Sequence, residues 1–191
     1  MIRTFYIIVL LSGLTGFFIP NNNSVIINYC GLKNPDTSVA GIKLRNEKST
    51  VLILGKHTKL EGDSTHRFYS KNKEEVLSMT VHPGDYYSQV SIFEVSYSGK
   101  YKPKYRQTKI DSFETEKGIH LGILKEEVVN KLGKCYSSSL KKDAEIITYR
   151  LENPQDSKTK LLERYNMPIY YAIYNFKKEK LVKFEFGFEY P

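Results

Sequence analysis

Six residues of this chain carry side chains that often bind metals or serve as nucleophile and base: His57, His66, His82, His120, Cys30 and Cys135. Their spacing forms no recognisable site. No two stand as Cys-x2-Cys or His-x3-His, the separations that place two zinc ligands side by side. There is no Gly-x-Ser-x-Gly nucleophile elbow and no phosphate-cradling glycine loop. Cys135 with His120 is the one combination that could act as thiol and base. Against it, Cys135 sits just past a helix-ending Gly133, and His120 takes a position that Lys43 fills elsewhere in the chain. His82 and Asp85 flank Pro83-Gly84, where turn geometry alone explains the Pro and the Gly. No catalytic residue, metal or cofactor is expected. An enzyme with a dispersed site ranks behind two binding readings.

Charge offers a second kind of chemistry. The net charge is +8, from 29 basic and 21 acidic residues. Between residues 99 and 109 stand Lys100, Lys102, Lys104, Arg106 and Lys109 with no acid, and Tyr101 and Tyr105 are interleaved. Basic residues alternating with aromatics can hold a nucleic-acid backbone and stack its bases. The export signal described below argues against nucleic acid and favours an anionic lipid or glycan. The competing reading is a solvated linker or edge strand whose lysines block sheet pairing. Tyrosine supplies a third candidate surface, because it is enriched where proteins recognise one another. Tyr170 and Tyr174 alternate onto one face with Ala172 and Phe176, which core packing explains. Tyr171 points the other way and is the candidate for exposure, and Tyr86 and Tyr87 are further tyrosines that could pave a binding face.

Residues 1–20 read as a targeting segment. Arg3 precedes an apolar run over 5–19, ended by Pro20 and an Asn-rich stretch. A secretory signal has a basic start and an apolar middle of roughly 7–15 residues. The run is short of the ~20 residues of a spanning helix, so an uncleaved anchor is the second choice and a buried first helix the third. Tyr29 before Cys30 does not suit lipid attachment. An exported chain meets oxidising conditions, so Cys30 and Cys135 can pair in a disulfide. Two free buried thiols are the alternative.

These residues are positioned by elements that the pattern places in two similar groups. Gly41-Ile42-Lys43-Leu44, followed by Leu54-Gly55-Lys56, returns as Gly118-Ile119-His120-Leu121, followed by Leu132-Gly133-Lys134. The internal spacing agrees to within one residue, and such recurrence marks duplicated units. After the first copy, Asn46 is an N-cap for a helix over 47–54, and strands follow from 67, over 75–81 and over 90–97. After the second, Leu121, Leu124, Val128 and Leu132 form a helical stripe, with strands at 146–151, 169–176 and 184–190. Residues 153–160 read as a loop insertion. The expected fold is α+β: two tandem units, each a short helix packed on a three- to four-stranded antiparallel sheet. They occupy residues 24–98 and 113–191, with a basic linker at 99–112.

Residues 113–122, then Lys125-Glu126-Glu127-Val128 and Leu132-Gly133, resemble the SmpA/OmlA (BamE-like) domains. Two such units in tandem resemble the β-lactamase inhibitor protein architecture. The resemblance covers 113–191 better than 41–98. The chain has Leu124 where the family often has Ser or Thr, Lys134 where it often has Pro, and no suitable lipid-attachment cysteine. The resemblance implies an extracytoplasmic module without catalysis that holds another protein on a sheet face or loops. The leading expectation is therefore a non-catalytic protein-binding module of the bacterial cell envelope or secreted fraction. The alternative is a surface-associated binder of anionic lipid or glycan through the linker, with Lys100, Tyr101, Lys102, Lys104, Tyr105 and Arg106 as the contact residues.

Overall fold

A computed structural model describes residues 32, 35–100, 103–152 and 160–189. The expected targeting segment, Cys30 and most of the 153–160 stretch read as an insertion lie outside them. The described elements begin with a hairpin of β1 (Ser38–Val39) and β2 (Ile42–Lys43), then α1 (Glu47–Leu54). Next come β3 (Ser64–Tyr69), β4 (Glu75–Val81), β5 (Ile92–Tyr97) and β6 (Arg106–Gln107). Then follow α2 (Lys125–Leu132), β7 (Ser137–Lys141), β8 (Ala144–Leu151), α3 (Leu161–Tyr165), β9 (Ile169–Lys177) and β10 (Lys180–Glu189).

The strands do not divide into one sheet per group. One eight-stranded sheet forms in the order β6-β3-β4-β5-β10-β9-β8-β7. It is antiparallel throughout except where β6 joins β3 in parallel. Its seam is β5 against β10, with Phe93 opposite Phe186 and Val95 opposite Phe184. Joining the two meanders there removes two edges that would otherwise be open to pairing with other chains. At the seam Gly187 is required: a Cβ on it would lie 2.2 Å from the Ser91 carbonyl oxygen.

Period-two alternation sorts the sheet into two faces. One carries Phe68, Leu77, Met79, Phe93, Val95, Tyr149, Tyr170, Tyr174, Phe184 and Phe186, all buried in a continuous core. The hairpin and all three helices contribute to that same core: Ile42 from the hairpin, Leu54 from α1, Val128 and Leu132 from α2, Leu161 and Leu162 from α3. Among the described residues, no helix is long and apolar enough to cross a membrane.

The helix starts have local causes. The Asn46 side chain accepts from the Ser49 N–H at 2.9 Å, capping α1 as expected. α2 is shorter than its apolar stripe. Residues 122–125 instead lie along the β9–β10 hairpin: Gly122 N–H donates to the Leu181 carbonyl, Leu181 N–H to Ile123, and Lys125 N–H to Glu179. Leu121 is buried ahead of the helix, whereas Leu124 is 45% exposed. The recurring residues match closely in environment. Ile42 and Ile119, Leu44 and Leu121, and Leu54 and Leu132 are all buried. Lys43 and His120 are exposed. Gly55 and Gly133 end their helices at φ 94° and 96°.

Candidate functional site

A buried polar cluster ties the start of the described chain to the sheet core. Asp36 is 0% exposed. Its Oδ2 accepts from the Tyr174 hydroxyl at 3.0 Å, and its backbone carbonyl from the Tyr170 hydroxyl at 2.8 Å. Its Oδ1 accepts no hydrogen bond, and the Lys117 ammonium lies 3.9 Å away. Burial, with the Glu116 charge nearby, pushes the Asp36 carboxyl up to about 6, against the opposing pull of Lys117, Thr115 and Tyr174. Glu116 clamps the same segment. Its two oxygens accept from the N–H and hydroxyl of both Thr37 and Ser38 at 2.6–2.9 Å. Burial works against ionising Glu116, but these bonds hold its carboxyl below its usual range. The contacts fasten the chain start to the sheet core, with Asp36 enclosed and Glu116 at the exposed rim.

The opposite face of the sheet carries no described helix. Its side chains include Thr65, Arg67, Ser78, Glu94, Ile173 and Thr148, in cross-strand register. Several are held in place by one another. Lys183 donates to Glu94 at 2.5 Å, and Arg150 reaches both oxygens of Glu189 at 2.5 and 2.8 Å. Tyr171 stands on this face, as alternation predicts, but is only 8% exposed. Its hydroxyl donates to Glu185 at 2.6 Å. Burial and that bond raise its pKa well above the usual tyrosine value.

The basic joining segment is partly built into the sheet. Lys100 and Lys104 are exposed, while Tyr101 and Lys102 lie outside the described residues. Tyr105 packs on Tyr69 with ring centroids 5.2 Å apart, and the Tyr69 hydroxyl donates to the Pro103 carbonyl. Arg106 opens β6, and its guanidinium donates to Thr58 Oγ1 and to the Leu54 carbonyl at the end of α1. β6 pairs only with Phe68 and Tyr69. The outer edge of β3 over 64–67 therefore has no described strand beside it. A cleft of about 420 Å³ opens there, with Tyr105 and Arg106 on one wall, His57 and Lys59 on another, and His66 and Arg67 from the strand. Leu60 and Phe68 supply buried apolar surface. The sequence reading found Tyr105 and Arg106 but missed the others. No charge signal marks these, because Glu61 and Asp63 stand between Lys59 and Arg67 in the sequence and only the turn before β3 brings the basic members to the joining segment.

The remaining candidates do not converge. His120 Nδ1 contacts the Leu121 carbonyl at 2.9 Å, and Cys135 is disulfide-bonded, so the two offer no thiol and base. Cys30 lies outside the described residues. His82 Nε2 meets the Phe188 carbonyl at 2.9 Å. Asp85 accepts from Arg45 at 2.9 Å and from Ser91 at 2.7 Å, a structural tie across the turn. Tyr86 and Tyr87 are exposed, with the Lys59 ammonium 5.3 Å from the Tyr87 ring centroid. Among the described residues, no group of three or more His, Cys, Asp or Glu could hold a metal ion. Compared with protein-family models, with curated proteins and with solved structures, the chain gives no match.

Proposed function

We propose that this chain is an exported, non-catalytic protein-binding module of the cell envelope or secreted fraction, built from two tandem units. The tandem reading is supported by the matched environments of the recurring Gly-Ile-x-Leu and Leu-Gly-Lys residues. It is supported also by strand order: β3-β4-β5 and β8-β9-β10 are both sequential meanders, and they meet by their last strands. The basic run over 99–112 joins the units. Export rests on the composition of residues 1–20.

The observation that carries the binding reading is the one-sided sheet. The hairpin and every described helix pack on one face, and the other is left as a platform of eight strands. Eight strands span about 34 Å and five residues about 17 Å. That gives on the order of 600 Å², close to the ~800 Å² that each partner contributes to a standard interface. Glu94 with Lys183, Tyr171 with Glu185 and Arg150 with Glu189 already hold each other, so a partner meets side chains whose ordering cost is largely met. Affinity capture from the native envelope tests this. The mature chain should retain a partner that Thr148→Arg with Asn175→Arg loses by at least about tenfold, as truncated or blocked interface centres do. Equal capture by both proteins contradicts it.

A second reading, an anionic ligand held by the joining segment, is favoured by the cleft in which Tyr105 and Arg106 stand.

A further inference from the structure

The cleft at the open edge of β3 gathers basic side chains with no acid among them. Lys59, Arg67 and Arg106 bring permanent positive charges to its lining, His57 and His66 add imidazoles, and no carboxylate lines it. Some cations elsewhere are answered by a carboxylate: Lys183 by Glu94, Arg150 by Glu189 and Glu152, Lys125 by Glu145, Arg45 by Asp85. Arg67 makes no salt bridge among the described residues. Like charges set together without a counter-charge raise one another's energy, and an anion relieves that cost.

The cleft is also prepared. Arg106 is fixed by Thr58 and the Leu54 carbonyl. An arginine has five N–H donors, so others remain for a ligand. Tyr105 is held upright against Tyr69. Leu60 and Phe68, both buried, close it beneath. The volume, about 420 Å³, falls within the range of roughly 300–1,000 Å³ of small-ligand sites. Guanidinium groups match the paired oxygens of phosphate and sulfate. The Tyr105 ring suits the C–H face of a sugar ring.

We propose that this cleft binds a saccharide unit carrying a phosphate or sulfate group, with Arg67, Lys59 and Arg106 on the anion and Tyr105 against the ring. The inference deepens the second reading above and rests on it. A membrane would instead meet the outward lysines Lys100, Lys104 and Lys109.

Calorimetric titration of the full chain at low salt tests this with glucose 6-phosphate, glucose 6-sulfate, glucose, inorganic phosphate and phosphatidylglycerol vesicles. The two esters should bind, glucose should not, and inorganic phosphate should bind about tenfold more weakly than glucose 6-phosphate. Arg67→Ala and Lys59→Ala, at exposed positions, should each weaken the esters by about tenfold, as expected for loss of a hydrogen bond to a charged group. Lys104→Ala should leave the esters unaffected. Melting curves check that each variant is folded. Equal affinity for inorganic phosphate and the esters overturns the saccharide assignment. Vesicle binding that Lys104→Ala abolishes and Arg67→Ala does not overturns the cleft and leaves the second reading standing. No binding to any anionic probe overturns both.

Discussion

The hydroxyl of Tyr174, in the middle of β9, donates to the buried carboxylate of Asp36, 138 residues earlier in the chain. Tyr170, four positions earlier on the same strand face, donates to the backbone carbonyl of the same residue. The segment before the β1–β2 hairpin is thus fastened into the centre of the core by two tyrosines that the sequence marks only as apolar-face residues. The fastening holds a buried acid against its preference for water, so its strength depends on pH.

Asp36 titrates at about 6 in the folded chain, above its ordinary value of 3.8. The native state therefore binds the extra proton across that interval, and stability falls as pH rises through it. Glu116, Lys117, Thr115, Tyr170 and Tyr174 face the group. Asp36→Asn keeps an acceptor for Tyr174 and removes the buried charge. It should melt like the wild type below pH 4 and be more stable by up to about 3 kcal/mol above pH 7. A variant less stable than the wild type at pH 7.5 would show that ionised Asp36 with Lys117 is a net stabiliser. Glu116→Gln should behave oppositely. The folded carboxyl of Glu116 is held low, so its contribution is present at neutral pH and lost on acidification.

The β5–β10 seam joins the two meanders, and Gly187 lets it close. A Cβ there meets the Ser91 carbonyl at 2.2 Å and the Ile92 Cα at 2.7 Å, both backbone atoms that cannot turn aside. Gly187→Ala should cost about 1–3 kcal/mol or more in denaturant melts, in the range of overpacked cores. A loss below about 0.5 kcal/mol, typical of neutral surface changes, would mean that the strands part easily and the single sheet is not a rigid platform.

Cys135 is disulfide-bonded, and Cys30 is the other cysteine of the chain. Peptide mapping of the full chain under non-reducing conditions should recover one linked pair containing both. Reduction should cost about 2–5 kcal/mol, as for other bridges closing long loops. Two free thiols in the intact protein, or a Cys135-linked dimer, would contradict the bridge.

Much of the sheet was legible because burial on one face writes period-two alternation into the chain. β4 reads directly as 75–81, and the Phe184, Phe186, Phe188 alternation locates β10. β7 was illegible: Ser137–Lys141 is exposed along its whole length, so only backbone pairing with β8 makes it a strand. β6 is two residues long and owes its form to the edge of β3. The α2 stripe misleads because Leu121 and Leu124 keep helical spacing while residues 122–125 pair with the β9–β10 hairpin. Tyr171 was placed on the correct face, but alternation gives orientation and not cover. The cleft could not be read from one segment, since its charges come from residues 57–67 and 105–106. Asp36 looked like a turn residue because its partners lie more than a hundred positions away.

The central claim, that the bare face of the sheet is where a partner protein sits, is tested most directly by site-specific photo-cross-linking in the native envelope. One probe replaces Asn175, on the open face of β9, and another replaces Asn130, exposed on α2 behind the sheet. The account predicts a discrete protein adduct from position 175 and none from position 130. Adducts from position 130 alone would place the partner on the helical side and contradict it.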